Sequence, residues 1–356
     1  MPILDVMPVS TWRDVRTVMV RSTTPSDLDI AEKLVHGRKV KSVQSFLHLR
    51  GAVEFLFKNL EMPSKRVVFP RFICSSVVRA AERAGMRVTL CDLERDGTIS
   101  VEALKRIPLE KFGAVFVVHP FGVPARMKEI SELCRKKNVF LIEDCAHVFG
   151  VEINGRRAGT WGDFALFHFG KKMTNVHGGL LVSYKTNLEA NLKPARVSFG
   201  ELVSLGLRMN LLRGIVNLIR SATPLPRDSE DEGGREFKAL AASDGSRRLF
   251  VRKYKEFLRG KEVRDAVFKA YLENLPEGFW AIQQEMPEDY FHFPVLVAKD
   301  KNRNDILKKL RVFGIFGDRI WYNADCSFAK RILILPVNES MREKDVKMIC
   351  KLLSNV

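Results

Sequence analysis

The signatures of several common chemistries are missing from this sequence. Its six cysteines, Cys74, Cys91, Cys134, Cys145, Cys326 and Cys350, form no CxxC pair and have no histidine partners at zinc-finger spacing. That argues against a disulfide framework and for reduced thiols in a reducing compartment. No GxGxxG follows the first predicted strand, and neither GxxxxGK(S/T) nor HExxH occurs, so the glycine-loop nucleotide sites and the helical zinc-protease site are excluded. The opening stretch never assembles a basic flank, an apolar core and a small-residue cleavage site, so no secretory signal is read and a cytoplasmic location is expected. No repeat or low-complexity tract interrupts the chain.

What is present is ample apolar material and an excess of positive charge. The 356 residues are 46% hydrophobic, enough for a full core, and carry a formal net charge of +17. A field of that sign attracts nucleic acid, acidic lipid or phosphorylated small molecules without choosing among them, and a lysine- and arginine-rich surface is also a common solvation style.

Between residues 66 and 184, short β-branched or aromatic runs alternate with helical patterns: "RVVFP", "RVTLCD", "AVFVVHP", "VFLIED", "FALFHF" and "GLLVSY" are separated by stretches such as "SSVVRAAERAG", "SVEALKRI" and "ARMKEISELCRKK". Strands spaced by helices predict crossover units and an α/β fold around a mostly parallel sheet. Residues 198–220 are apolar nearly all round except for Asn210, Arg213, Asn217 and Arg220, which share one helix face. A helix in the core or at a subunit interface is expected, with a membrane-surface helix as the alternative; its three arginines argue against a span. The Pro-, Gly- and acid-rich "SATPLPRDSEDEGGREF" reads as a mobile linker or lid. Helical patterns over about 247–274, strands in "YFHFPVLVA" and "RILILPV", and helices in "KNRNDILKKLRVFG" and "EKDVKMICKLL" make a small α+β appendage. The expected organisation is a large α/β domain over 1–190, a helical segment and acidic linker over 191–250, and a small α+β domain over 251–356.

In an open parallel sheet, ligands bind at the carboxyl ends of the strands. His119 follows "AVFVV", Glu143 and Asp144 end "VFLIED", and His168, Lys171 and Lys172 stand at or after the end of "FALFHF". Taken singly, a histidine there is more often structural, an aspartate a helix cap and a lysine pair solvated. Three consecutive strand ends with ionisable groups point to one cleft. An acid, imidazoles and lysine without a serine elbow, phosphate loop or metal box suit pyridoxal phosphate: lysine forms a Schiff base with the aldehyde, and a carboxylate pairs with the pyridine nitrogen. The lysine must be neutral when it carries a proton between substrate and cofactor, a state that burial and a second lysine alongside favour. A metal site of His119, Asp144 and His147 stays open at this stage, as does a nucleic-acid-binding protein holding phosphates through surface charge, although no DNA- or RNA-reading motif is seen.

"VFLIEDCAHVFG" followed by "HFGKKMTNVHGG" resembles the DegT/DnrJ/EryC1/StrS family of pyridoxal phosphate-dependent sugar aminotransferases. Asp144, His147, Gly162, Asp163, Lys171, Gly178 and Gly179 occupy the family's motif positions, Lys171 standing seven residues ahead of Gly178. "VVHPFG", the stretch from "RVVFP" to "DGTIS", "FHFPVLV" and "RILILPV" are similar as well, so that residues 45–185 and 290–353 are covered. The resemblance implies an aspartate-aminotransferase-like (fold type I) large domain and a small C-terminal domain. It also implies Lys171 as the Schiff-base lysine, with Lys172 as the alternate, Asp144 on the pyridine nitrogen and His147 on the ring hydroxyl. Arg50, Gly51 and Ala52 of "HLRGAVEF" would hold the phosphate at a helix start. His168 stands where a phosphate-binding serine is common, Cys74 where many members place an aromatic over the ring, and His177 where an acid precedes the glycine pair; His119 and Lys172 would line the site.

The activity so implied is transfer of an amino group from an amino acid, taken as glutamate, to a nucleotide-linked keto sugar by a homodimer. The alternatives are another pyridoxal phosphate enzyme acting on a non-sugar ketone or eliminating water from a sugar, and a non-catalytic regulatory protein binding the cofactor or nucleic acid. Peripheral membrane contact through 198–220 is the one membrane role considered.

Overall fold

A computed structural model describes residues 4–5, 9–20, 22–148, 150–171, 173–188, 190–209, 240–283, 292–318 and 327–356. Lys172, Cys326, the second half of the 198–220 segment and the acidic linker lie outside the described residues.

The six expected runs are all strands, the central ones apolar on both sides of the pleat, and an edge strand joins them, so that there are seven in all. The seven form one sheet: β1 (Ser42–Phe46), β2 (Arg66–Pro70), β3 (Arg87–Cys91), β4 (Ala114–Val118), β5 (Phe140–Asp144), β6 (Phe164–His168) and β7 (Gly179–Ser183). Their spatial order is β1-β7-β6-β5-β4-β2-β3, with β2 to β6 mutually parallel and β7 antiparallel to both neighbours. The mostly parallel sheet is as expected; edge strand β1, "SVQSF", was not foreseen. All five residues of β4 are buried, as a sheet covered on both faces requires.

Side chains alternate across the sheet and so feed two separate cores. Val115, Val117, Leu141, Ala165 and Phe167 pack on one side, and Phe116, Val118, Ile142, Phe164 and Leu166 on the other. Helices cover both: α1 (Trp12–Met19), α2 (Asp27–Leu34), α3 (Leu49–Asn59), α4 (Ser75–Arg83), α5 (Val101–Arg106) and α6 (Met127–Lys136). The described part of the 198–220 segment is a single helix, α7 (Phe199–Leu207), started by a capping box between Ser198 and Glu201. Leu205 packs with Val18 and Leu249, whereas Phe199, Val203 and Leu207 stay exposed.

The helical pattern over 247–274 is two helices, α8 (Asp244–Arg259) and α9 (Lys261–Asn274), which meet at Gly260. Arg248 of α8 donates to the Thr17 and Val18 carbonyls at 3.2 and 3.3 Å, fastening the N-terminal helix to it. The C-terminal strands Phe279–Ala281, His292–Val297 and Ile332–Pro336 form an antiparallel sheet backed by Phe268, Tyr271 and Ile349. No helix among the described residues is long and apolar enough to cross a membrane.

Candidate active site

Asp144 closes β5 at the carboxyl end of the parallel strands. Its register partners are Val118 on β4 and Leu166 on β6. Two residues beyond Leu166 comes His168, so alternation puts Asp144 and His168 on the same face of the sheet. Glu143, one residue earlier, pairs with Ala165 and faces the other core.

Asp144 is 5% exposed, and its Oδ1 accepts the Ala146 N–H at 2.9 Å. Burial pushes its carboxyl up to about 6, while the Ala146 N–H and the charges of His119 and Lys171 pull the other way. Lys171 is half-buried in the turn after β6, and its charge acts on both Asp144 and His168. The carboxylate and the lysine are thus electrostatic neighbours across one face.

His147, 1% exposed, accepts the Phe121 N–H at its Nδ1 over 3.3 Å. Phe121 holds φ at 59°, a region that bulky side chains rarely visit, within the turn that follows His119. Cys74 stands immediately before α4, half-buried, with its Sγ 2.9 Å from the Ser76 Oγ.

The start of α3 approaches this edge because the glycine pair lets it. A Cβ on Gly179 would lie 3.1 Å from the Leu49 Cα, and one on Gly178 would lie 2.5 Å from the Phe169 Cδ2. Gly51 and Ala52 donate back to the His48 carbonyl at 2.9 and 3.3 Å, and a Cβ on Gly51 would meet nothing within 4 Å. Open space therefore fronts the first turn, whose dipole favours an anion.

Around that turn the charges are almost all positive. The His48 and His177 rings meet edge to face, 4.5 Å between centroids. Burial, then the His177 and Arg50 charges, push His48 down to about 4 against the pull of Glu201. Burial pushes His168 down to about 3, with Lys171, His177, His48 and Arg50 adding to it. His168 accepts the Gly170 N–H at Nδ1 over 2.9 Å, so the neutral ring carries its proton on Nε2.

Other expected residues do different work. His119 is fully buried; its Nε2 lies 3.1 Å from the Glu143 Oε1 and its Nδ1 accepts the Ala125 N–H at 3.0 Å. It therefore bonds away from Asp144 and does not join it and His147 in a ligand set. Glu143 also accepts from Gly159, Trp161 and Gly162 at 2.6, 3.0 and 3.3 Å, tying the loop before β6 to β5. Burial pushes the Glu143 carboxyl up, but bonds from His119, Gly159 and Trp161 outweigh it and leave it below the usual range. Ligand atoms of His119, Glu143 and Cys145 lie within 4.8 Å of one another, yet the His119 nitrogens and Glu143 oxygens are spent on these bonds. Asp163 accepts the Leu141 N–H at 2.9 Å, at the amino end of the strands. His48 and Glu201 were not foreseen. His48 had a signal, since it immediately precedes the "LRGA" helix start; Glu201 had only its capping box.

The chain matches the profile of the DegT/DnrJ/EryC1/StrS aminotransferase family over residues 51–327. It belongs to that family. A 120-residue stretch is 33% identical to GDP-perosamine synthase of Vibrio cholerae, spanning a third of each chain. UDP-4-amino-4,6-dideoxy-N-acetyl-beta-L-altrosamine transaminase of Campylobacter jejuni is 25% identical over 88% of this chain and 83% of its own. The fold matches a putative sugar aminotransferase of Streptococcus pneumoniae in its PLP form, with a TM-score of 0.70 and 15% identity over 100% of this chain and 98% of that one.

Proposed function

We propose that this family member is a pyridoxal phosphate-dependent aminotransferase that moves an amino group from an amino acid, glutamate in our reading, to a keto sugar carried on a nucleotide. The observation that carries the proposal is the buried Asp144 carboxyl at the carboxyl end of the parallel strands, with Lys171 in the turn that follows the neighbouring strand β6. The names of the two curated relatives, both concerned with amino sugars, support the acceptor class.

The donor set suits the cofactor. Arg50 and the open first turn of α3 beside Gly51, with His168, would hold its phosphate, the Gly51 and Ala52 N–H groups being engaged by the His48 carbonyl; Asp144 would pair with the ring nitrogen; His147 and Cys74 would flank the ring, with Lys171 taking the aldehyde. When bound, the cofactor supplies an electron sink for charge developing on the substrate carbon. A carboxyl at about 6 is mostly ionised at neutral pH, and a cation opposite it would hold that charge in place. Lys171 would move the proton at its Nζ once the substrate has displaced it. The net charge of +17 favours a phosphorylated acceptor. The same reading makes the protein a homodimer, which light scattering would measure.

The deciding experiment is the absorption spectrum of the purified protein. A visible band that borohydride removes and that is missing from Lys171→Ala, together with glutamate-dependent amination of a nucleotide-linked keto sugar, is the expected result. A colourless protein that takes up no added pyridoxal phosphate would end the proposal.

A further inference from the structure

Five basic side chains converge around the start of α3 from four places in the chain. His48 and Arg50 come from the start of α3, His168 from the end of β6, Lys171 from the turn after it and His177 from the glycine pair. Among the described residues, the acid whose charge acts on His48 is Glu201 from α7, and its oxygens are already engaged. Its Oε2 takes the Ser198 N–H and hydroxyl at 2.7 and 2.9 Å, and its Oε1 takes the His177 N–H at 3.3 Å. The groups whose charge acts on His48 and His168 are thus basic except for Glu201.

The three rings are not equivalent. His168 offers Nε2–H while its Nδ1 stays bonded to Gly170, so it acts as a neutral one-hydrogen donor, much as a serine hydroxyl would. His48 and His177 share an edge-to-face contact, and two imidazolium ions at that separation repel, which disfavours a second proton on the pair. His177 is exposed and His48 half-buried, which lets a solute reach them.

We propose that the His48–His177 pair makes this a proton-coupled anion site, taking up one proton when a phosphoryl dianion binds, with His168 as a neutral donor beside it. The inference deepens the pyridoxal phosphate reading, on which its main ligand rests. The neighbouring cations and burial that keep His48 deprotonated are opposed by an incoming dianion, so binding raises the proton affinity of the pair. The sign follows from linkage: protons are taken up on binding, so affinity is highest at low pH and falls as pH rises from the anion-free to the anion-bound value of the pair.

Sulfate is the probe, because it does not titrate between about pH 5 and 8 and any proton taken up must go to the protein. Calorimetric titration of sulfate, and separately of pyridoxal phosphate, in buffers of different ionisation enthalpy reads the uptake directly. We expect about one proton per anion for the unaltered protein and close to none when His48→Gln and His177→Gln are combined, while His168→Ser keeps the uptake. Between the anion-free and the anion-bound values of the pair the affinity for sulfate should drop about tenfold per pH unit, and it should level off above the bound-state value. Imidazole 15N shifts of the folded variants give the same answer independently of affinity.

Zero uptake by the unaltered protein overturns the proposal, and so does uptake that survives both glutamine substitutions and disappears in Lys171→Ala. Sulfate-linked uptake in a protein that never binds pyridoxal phosphate would uphold the anion site while ending the aminotransferase reading. Uptake with a nucleoside diphosphate on cofactor-loaded protein would uphold it and assign the pair to the substrate.

Discussion

Glu143 and His119 form a fully buried pair, Oε1 to Nε2 at 3.1 Å, on the side of β5 that faces away from Asp144. Two carboxylates adjacent in the chain thus serve opposite faces of the sheet, one as scaffold and one at the site. The scaffold role has a stability signature. Glu143→Ala strands the His119 donor and the Gly159, Trp161 and Gly162 N–H groups, and breaking a buried pair of this kind costs about 3–5 kcal/mol. Urea unfolding checks it. The Glu143 carboxyl lies below its usual range, so its stabilisation is complete above the unfolded value and is lost as pH falls through the folded one. Glu143→Gln should remove that acid limb of the stability profile.

Asp144 predicts the opposite trend. Its carboxyl is raised from 3.8 to about 6, a shift of about 2 units, or about 3 kcal/mol. A raised carboxyl binds its proton more tightly in the folded state, so the cofactor-free protein gains stability as pH falls from above 6 towards 4. At pH 7, Asp144→Asn should be more stable than the unaltered protein by up to about 3 kcal/mol without cofactor, and should lose transamination. Thermal unfolding of the two proteins across that pH range tests it; a destabilised variant with unchanged pH dependence would contradict it.

How much of this was legible beforehand follows from what each residue's neighbours are. The central strands read as continuous apolar runs because both faces are buried, and their carboxyl ends pointed to Asp144, His168 and Lys171 together. β1 was not legible: "SVQSF" sits at the sheet edge, where Val43 and Gln44 need be only half-buried, so its composition carries little signal. Glu143 and His119 looked like site residues because a strand end does not reveal which face a side chain takes until the register is known. The His48–His177 contact joins distant segments through the close approach of Leu49 to Gly179, and no local pattern encodes it.

The cysteines separate into inert and accessible thiols. Burial pushes Cys91, Cys134 and Cys350 each up to about 12, and none of the three is more than 4% exposed. Iodoacetamide at about pH 8 should leave all three unmodified in the native protein and alkylate them in urea, since the thiolate is the nucleophile. Half-buried Cys74, which our reading puts over the cofactor ring, should react natively and more slowly once pyridoxal phosphate is bound. Peptide mass spectrometry reads each site.

The glycine pair separates packing from binding. On Gly178 a methyl group would sit 2.5 Å from the Phe169 Cδ2 and 2.6 Å from the Ser246 Oγ, atoms held in the core behind the site. Gly178→Ala should therefore destabilise the fold by about 1–3 kcal/mol, the range for an overpacked core. On Gly179 the same methyl would lie 3.1 Å from the Leu49 Cα and Cδ1, which pushes on the first turn of α3 and on His48 and Arg50 with it. Gly179→Ala should shift that turn by a few tenths of an ångström, with a smaller stability loss than Gly178→Ala and a larger loss of affinity for pyridoxal phosphate. Unfolding curves and cofactor titrations on both variants distinguish the two; equal effects in both assays would mean that the close approach of α3 to β7 has no part in holding the anion.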